Sequence, residues 1–236
     1  MISEKQFAAS HPGFWDALLP FAEPYVRTKN LNAKRFEASL VSINSPVDVA
    51  LINEVAFELF ILSDSMECQP GSLPEEVVRH AINNVVGYVG AFHQPAGPRP
   101  KLTKAGLQEA QRIARRLATF FAPHKPLTSR VGFPGCGWLD HAEGDVLSGS
   151  TLFEIKGGAR TFRAVDYRQL LIYCALDFSS GSKAIDRICL LNPREGIYIE
   201  ESVDVLCQRI AGAGAVDILA DIVHYIAEPN SRYRIG

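Results

Sequence analysis

The sequence lacks several familiar signatures. It has no CxxC pair, and its five cysteines, Cys68, Cys136, Cys174, Cys189 and Cys207, lie at least 15 residues apart. A zinc ribbon or a redox dithiol is thereby excluded, and reduced thiols in a cytoplasmic compartment are expected. No run of about 18 apolar residues occurs, so no membrane-spanning helix is expected. The opening MISEKQFAASHPGFW has an early acid and no apolar core, unlike a secretory leader. Neither charge sign dominates: 24 Lys and Arg face 26 Asp and Glu, a net charge of −2. This excludes a protein that coats nucleic acid with a uniformly basic surface, but it leaves room for a local basic groove. No internal repeat or low-complexity segment is present.

What is present is a globular composition: 236 residues, 47% apolar and 21% charged. A chain of this length buries a large core without disulfides or a structural metal. The first 125 residues or so carry mainly helical patterns. INEVAFELFIL (Ile52 to Leu62) is apolar on nearly every face, as in a buried helix. QPAGPRP, Gln94 to Pro100, must be extended. Leu107, Ala110, Ala114, Leu117 and Phe121 recur at three- and four-residue steps after a Thr103 cap. That helix shows Arg112, Arg115 and Arg116 on its other face.

From Leu127 onward the period changes to that of strands. LTSRVGF, EGDVLS and TLFEIKG are short runs separated by Gly and Ser, the pattern of a meander. A helix is expected over Val165 to Phe178, a strand over Ala184 to Leu191 and a turn at Asn192 to Gly196. A return strand to Glu200 and two closing helices, near Val203 to Ala211 and Val216 to Ala227, follow. The expected class is α/β with a mixed central sheet flanked by helices. Residues 1–100 form a mainly helical N-terminal region, and 101–236 form the core with its C-terminal helices.

Chemistry concentrates between Gly144 and Tyr173. Strand period two sets Glu154 and Lys156 on one face, and a hairpin brings Asp145 beside them. Two carboxylates are a minimal Mg²⁺ anchor. By itself a Glu-x-Lys pair is an ordinary solvated pattern. Here Leu152, Phe153 and Ile155 make the strand apolar, so its charges need partners or a metal.

GDVLSGSTLFEIKGG followed by DYRQLLIY resembles the core of the PD-(D/E)XK nuclease superfamily, the restriction-endonuclease-like fold, in its RecB-like and exonuclease branch. The resemblance covers roughly Arg130 to Ile199. It implies a phosphodiester hydrolase acting on DNA with Mg²⁺ or Mn²⁺. Asp145 and Glu154 match the metal-binding acids, the Ile155 carbonyl adds an oxygen ligand, and Lys156 positions the attacking water. Gln169 and Tyr173 match the Gln-x-x-x-Tyr helix, with Gln169 orienting the lysine or the strand and Tyr173 facing the nucleic acid. Many members add a glutamate from a preceding helix. Glu58 is the first choice, with Glu54 and Glu109 as alternatives. Asp140 and His141 precede Asp145, and a turn histidine beside an acid is more often structural than metal-bound. The cysteines are too dispersed for the family's iron–sulfur cluster, so none is expected.

Charge is uneven along the chain. Arg99 to Arg130 holds eight Lys or Arg and one acid, whereas Glu195 to Gly236 holds three against seven. Arg112, Arg115 and Arg116, with Arg160, Arg163 and Arg168 after the Glu-x-Lys strand, are the candidate phosphate contacts. A role in bacterial defence or on a mobile element is expected by analogy, with a homodimer or partner subunits. The competing expectation is an inactive member of the same fold, an adaptor for nucleic acid or protein. An RNA-directed nuclease is less favoured, because few aromatics flank the motif.

Overall fold

A computed structural model describes residues 1–40, 46–93, 101–182 and 184–228. The proline-rich stretch 94–100 lies outside them. Three helices open the chain: α1 (Glu4–Ala9), α2 (Pro12–Leu18) and α3 (Ala22–Leu31). Ser3 and Gln6 cap α1 reciprocally, each side chain bonding the other residue's backbone N–H. The short strand β1 (Lys34–Arg35) and the helices α4 (Pro46–Ser65), α5 (Glu75–His93) and α6 (Lys104–Phe121) follow. The Thr103 side chain caps α6 at the Gly106 N–H, as the sequence pattern requires.

Next come β2 (Thr128–Phe133), β3 (Ala142–Ser148), β4 (Thr151–Ile155), α7 (Ala164–Ser179), β5 (Arg187–Asn192) and β6 (Ile197–Ser202). Helices α8 (Val203–Ala211) and α9 (Ala215–Ala227) close the described chain. The architecture is α/β. The six strands form an open mixed sheet in the order β1-β6-β5-β4-β3-β2. Strands β4 and β5 are parallel, with α7 as their crossover, and the other pairs are antiparallel. Gly149 turns the β3–β4 hairpin with φ 55°, a conformation glycine adopts without steric cost.

Alternation along the strands sends side chains into two cores. Phe153, Cys189 and Leu191 pack under α4, α5 and α6. Leu152, Ile188 and Leu190 pack under α7, α8, α9 and the first three helices. The N-terminal residues therefore contribute to both faces, and β1 extends the sheet at one edge. Two differences from the sequence pattern have local causes. β1 has too few residues to show a period. β5 starts at Arg187 because Asp177 Oδ2 accepts the N–H groups of Ala184 and Ile185, which removes them from the ladder.

Candidate active site

The hairpin places Asp145 and Glu154 as neighbours, since Val146 pairs with Phe153 one position away. Asp145 Oδ2 accepts the Ile155 N–H at 2.6 Å. Glu154 is 4% exposed and receives the Lys156 ammonium on Oε1 at 2.8 Å. Its second oxygen, Oε2, is buried without a hydrogen-bond partner among the described residues. Lys156 Nζ also donates to Gln169 Oε1 at 2.6 Å. Gln169 Nε2 in turn donates to the Tyr173 hydroxyl at 2.7 Å. The period of α7 puts these last two residues one turn apart on the same face. Gly157 follows the lysine. A Cβ there would meet the Asn53 side chain at 2.5 Å, so glycine lets α4 approach the strand end closely.

Burial sets the electrostatics. Desolvation, then the neighbouring Asp145 charge, pushes Glu154 up to about 7 from the ordinary carboxylate range. Desolvation also raises Asp145, against the pull of the Ile155 N–H and Lys156. Burial works against a charged Lys156, but Glu154 and then Asp166 outweigh it and hold the ammonium above its usual value. The site thus holds a cation firmly and two acids reluctantly.

Asp145 lines a cleft of about 580 Å³. Its walls come from α1 (Glu4, Lys5), α4 (Glu54, Glu58) and α5 (Asn84, Tyr88), with Arg130 and Glu143 of β2 and β3 opposite. Glu154 and Lys156 do not line this cleft.

Of the other residues singled out in the sequence, Glu58 lies in the cleft but binds Arg130 at 2.6 Å. Glu54 faces the cleft and acts on Asp145 electrostatically. Glu109 is held by the fully buried Arg194. His141 is exposed at the rim, with Nδ1 3.1 Å from Asp140 Oδ1. Arg160 forms a bidentate pair with Asp166, at 2.7 and 2.8 Å. Arg168 lies 3.6 Å from Asp16 and over the Trp15 ring. Arg112, Arg115 and Arg163 are exposed.

Two expected nucleic-acid contacts require correction. Arg116 is 9% exposed and pairs with Glu37 at 2.7 Å while donating to the Ala38, Pro193 and Arg194 carbonyls. Tyr173 is 1% exposed, with its hydroxyl inside the Gln169 network. Neither side chain is open to a strand; one ties α6 to the β1 segment, and the other holds Gln169.

Glu4 was not legible as a site residue. It is 7% exposed, 3.4 Å from the Tyr173 hydroxyl and 3.5 Å from Gln169 Nε2. Its only sequence signal is the S-x-x-Q cap, which fixes a helix but not where that helix docks. The loop after Lys156 has a second support. Asn192 Nδ2 donates to the Gly158 and Arg160 carbonyls, and Arg194 Nε to that of Gly157.

The donor set fits a hard divalent cation in one respect: two adjacent carboxylates, one with an orphaned oxygen, next to a backbone carbonyl. Among the described residues no cluster of three or more His, Cys, Asp or Glu forms a metal-binding group. Comparisons of the chain with protein-family models, with curated proteins and with solved structures find no match. Among the described residues no single helix is long and apolar enough to cross a membrane.

Proposed function

We propose that the protein is a metal-dependent nuclease that hydrolyses DNA phosphodiester bonds, with the restriction-endonuclease-like core implied by its motifs. The observation that carries this reading is Glu154: a buried carboxylate beside a second carboxylate, with one oxygen left without a partner among the described residues. Such an arrangement is costly unless a cation completes it. Asp145, Glu154 and the Ile155 carbonyl would hold Mg²⁺ or Mn²⁺, which when bound supplies Lewis-acid polarisation of the phosphoryl group and a more acidic water.

The chain's own residues do the rest. Lys156 keeps its proton and its charge at Nζ, where it orients the attacking water and offsets charge growing on the phosphoryl oxygens. Gln169 fixes that Nζ from one side and Glu154 from the other, so little reorganisation is needed at the moment of reaction. Tyr173 and Glu4 fix Gln169. Of the six arginines expected to contact phosphate, Arg112, Arg115 and Arg163 are exposed. DNA as partner, a homodimer or partner subunits, a cytoplasmic setting and a role in defence or on a mobile element belong to the same reading.

The adaptor reading has one observation in its favour: Lys156 already bonds Glu154 Oε1 and Gln169 Oε1, and none of the three lines the cleft. The two readings separate on a single set of assays, with linear, circular and single-stranded DNA and RNA, in Mg²⁺ or Mn²⁺. We expect cleavage of DNA, abolished by Asp145→Ala. Lys156→Ala should lower the rate about 10²-fold while leaving DNA binding in Ca²⁺ nearly unchanged. Equal loss of binding and cleavage in Lys156→Ala, or a wild type inert on every substrate, would favour the adaptor.

A further inference from the structure

Arg130 has no part in the reading above, yet it faces the same cleft. In the β2–β3 register it is level with Asp145, since Ser129 pairs with Val146 and Val131 with Gly144. Its backbone lies in the left-handed region, φ 54°. A strand arginine seldom adopts this conformation, and surroundings must impose it. The guanidinium donates to Glu58 at 2.6 Å and approaches Glu143 at 3.4 Å. It also lies 5.6 Å from the centroid of the Phe57 ring. Its side chain is nevertheless 45% exposed, against 21% for Glu58 and 55% for Glu143.

A pair that is open to solvent on the arginine side is screened and contributes little net energy. A phosphodiester offers the planar fork two oxygens in the geometry a carboxylate does. The cleft also needs such a group. Glu4, Glu54, Glu58, Glu143 and Asp145 line it, with Lys5 and Arg130 as its Lys and Arg residues among those described, so a polyanion entering among five acids depends on these two cations.

We propose that Arg130 is a phosphate-binding residue of this site, whose guanidinium leaves Glu58 and Glu143 for the phosphate next to the bond cut at Asp145. The proposal rests on the nuclease reading for what is cut. In this arrangement Glu58 is the group that holds the arginine until a strand arrives, and it competes with the phosphate.

A purely structural ion pair predicts that removing either partner has the same effect. A phosphate site predicts opposite effects. The experiment measures binding of a short labelled DNA, single-stranded and duplex, in Ca²⁺ across a salt series, and steady-state cleavage in Mg²⁺. The proteins are wild type, Arg130→Gln, Arg130→Lys and Glu58→Gln, each checked for folding by circular dichroism. Arg130→Gln should weaken binding about tenfold, lower the salt slope by about 1 and raise KM more than it lowers kcat. Arg130→Lys should recover part of the binding. Glu58→Gln should bind as tightly as wild type or more tightly, because it frees the guanidinium. Parallel losses in Arg130→Gln and Glu58→Gln, or a fully active Arg130→Gln, would overturn the proposal. A wild type that never cleaves, with binding still shifted in opposite directions by the two variants, would sink the nuclease reading and keep the phosphate site. A wild type that binds no DNA would end both.

Discussion

Glu154 shows how one residue couples stability to pH. Its pKa, pushed to about 7 by burial and by Asp145, lies above that of the unfolded chain. Between about pH 5 and pH 7 the folded state therefore keeps a proton that the unfolded state has released. Stability is greatest below the unfolded value and falls as pH rises through the folded one. Asp145, raised by desolvation, adds in the same direction. With a chelator present, urea midpoints should drop across that window. Glu154→Gln should flatten the drop, and Mg²⁺ should restore stability at the alkaline end, where Glu154 is charged. An equally steep profile in wild type and Glu154→Gln would show that Glu154 does not titrate there. This residue also marks what the sequence discloses: an acid inside an apolar strand needs a partner, and that much is visible from Leu152, Phe153 and Ile155. The orphaned oxygen is not visible, because it depends on how α7 delivers Gln169 to the lysine instead.

At the scale of elements, the turn joining β5 to β6 ties several parts of the molecule together. Arg194 reaches Glu109 of α6, Asn53 of α4 and the Gly157 carbonyl after β4. Replacing it by Met removes the Arg194 guanidinium from buried Glu109, a loss of up to about 3–5 kcal/mol for breaking a buried pair. Urea denaturation should show that loss, and adding Glu109→Leu should recover part of it, since an apolar pair avoids the desolvation cost. No recovery would mean that the bonds to Asn53 and Gly157 dominate. Most strands and helices from Leu127 onward are legible because Gly, Ser or Asn-Pro bounds short runs of β or helical pattern, although α7 and β5 are apolar nearly throughout. The docking of distant pieces is not. Arg116 looks solvent-facing on a helix wheel, yet residues 37 and 38, following the two-residue β1, cover that face and take its hydrogen bonds. Glu4 meets Tyr173 across 169 positions, and no local pattern reports such a separation.

Over the whole molecule, the basic stretch of the sequence divides between inside and outside. Arg116 is internal, whereas Arg112 and Arg115 remain on the surface of α6. If these two meet phosphates, replacing both by Gln should weaken DNA binding alike on unrelated sequences. It should also flatten log K against log salt by about 0.9 for each phosphate no longer neutralised. An unchanged slope would assign that face to solvent. The left-handed backbone at Arg130 has a further consequence, for assembly. β2 is one edge of the sheet, and an edge strand with a regular backbone offers its unpaired N–H and C=O groups to another chain. The turn at Arg130 breaks that row near its middle, and the opposite edge, β1, is two exposed basic residues long. Neither border is a good template for a seventh strand. The sheet is thus guarded at both margins against growing into a ribbon.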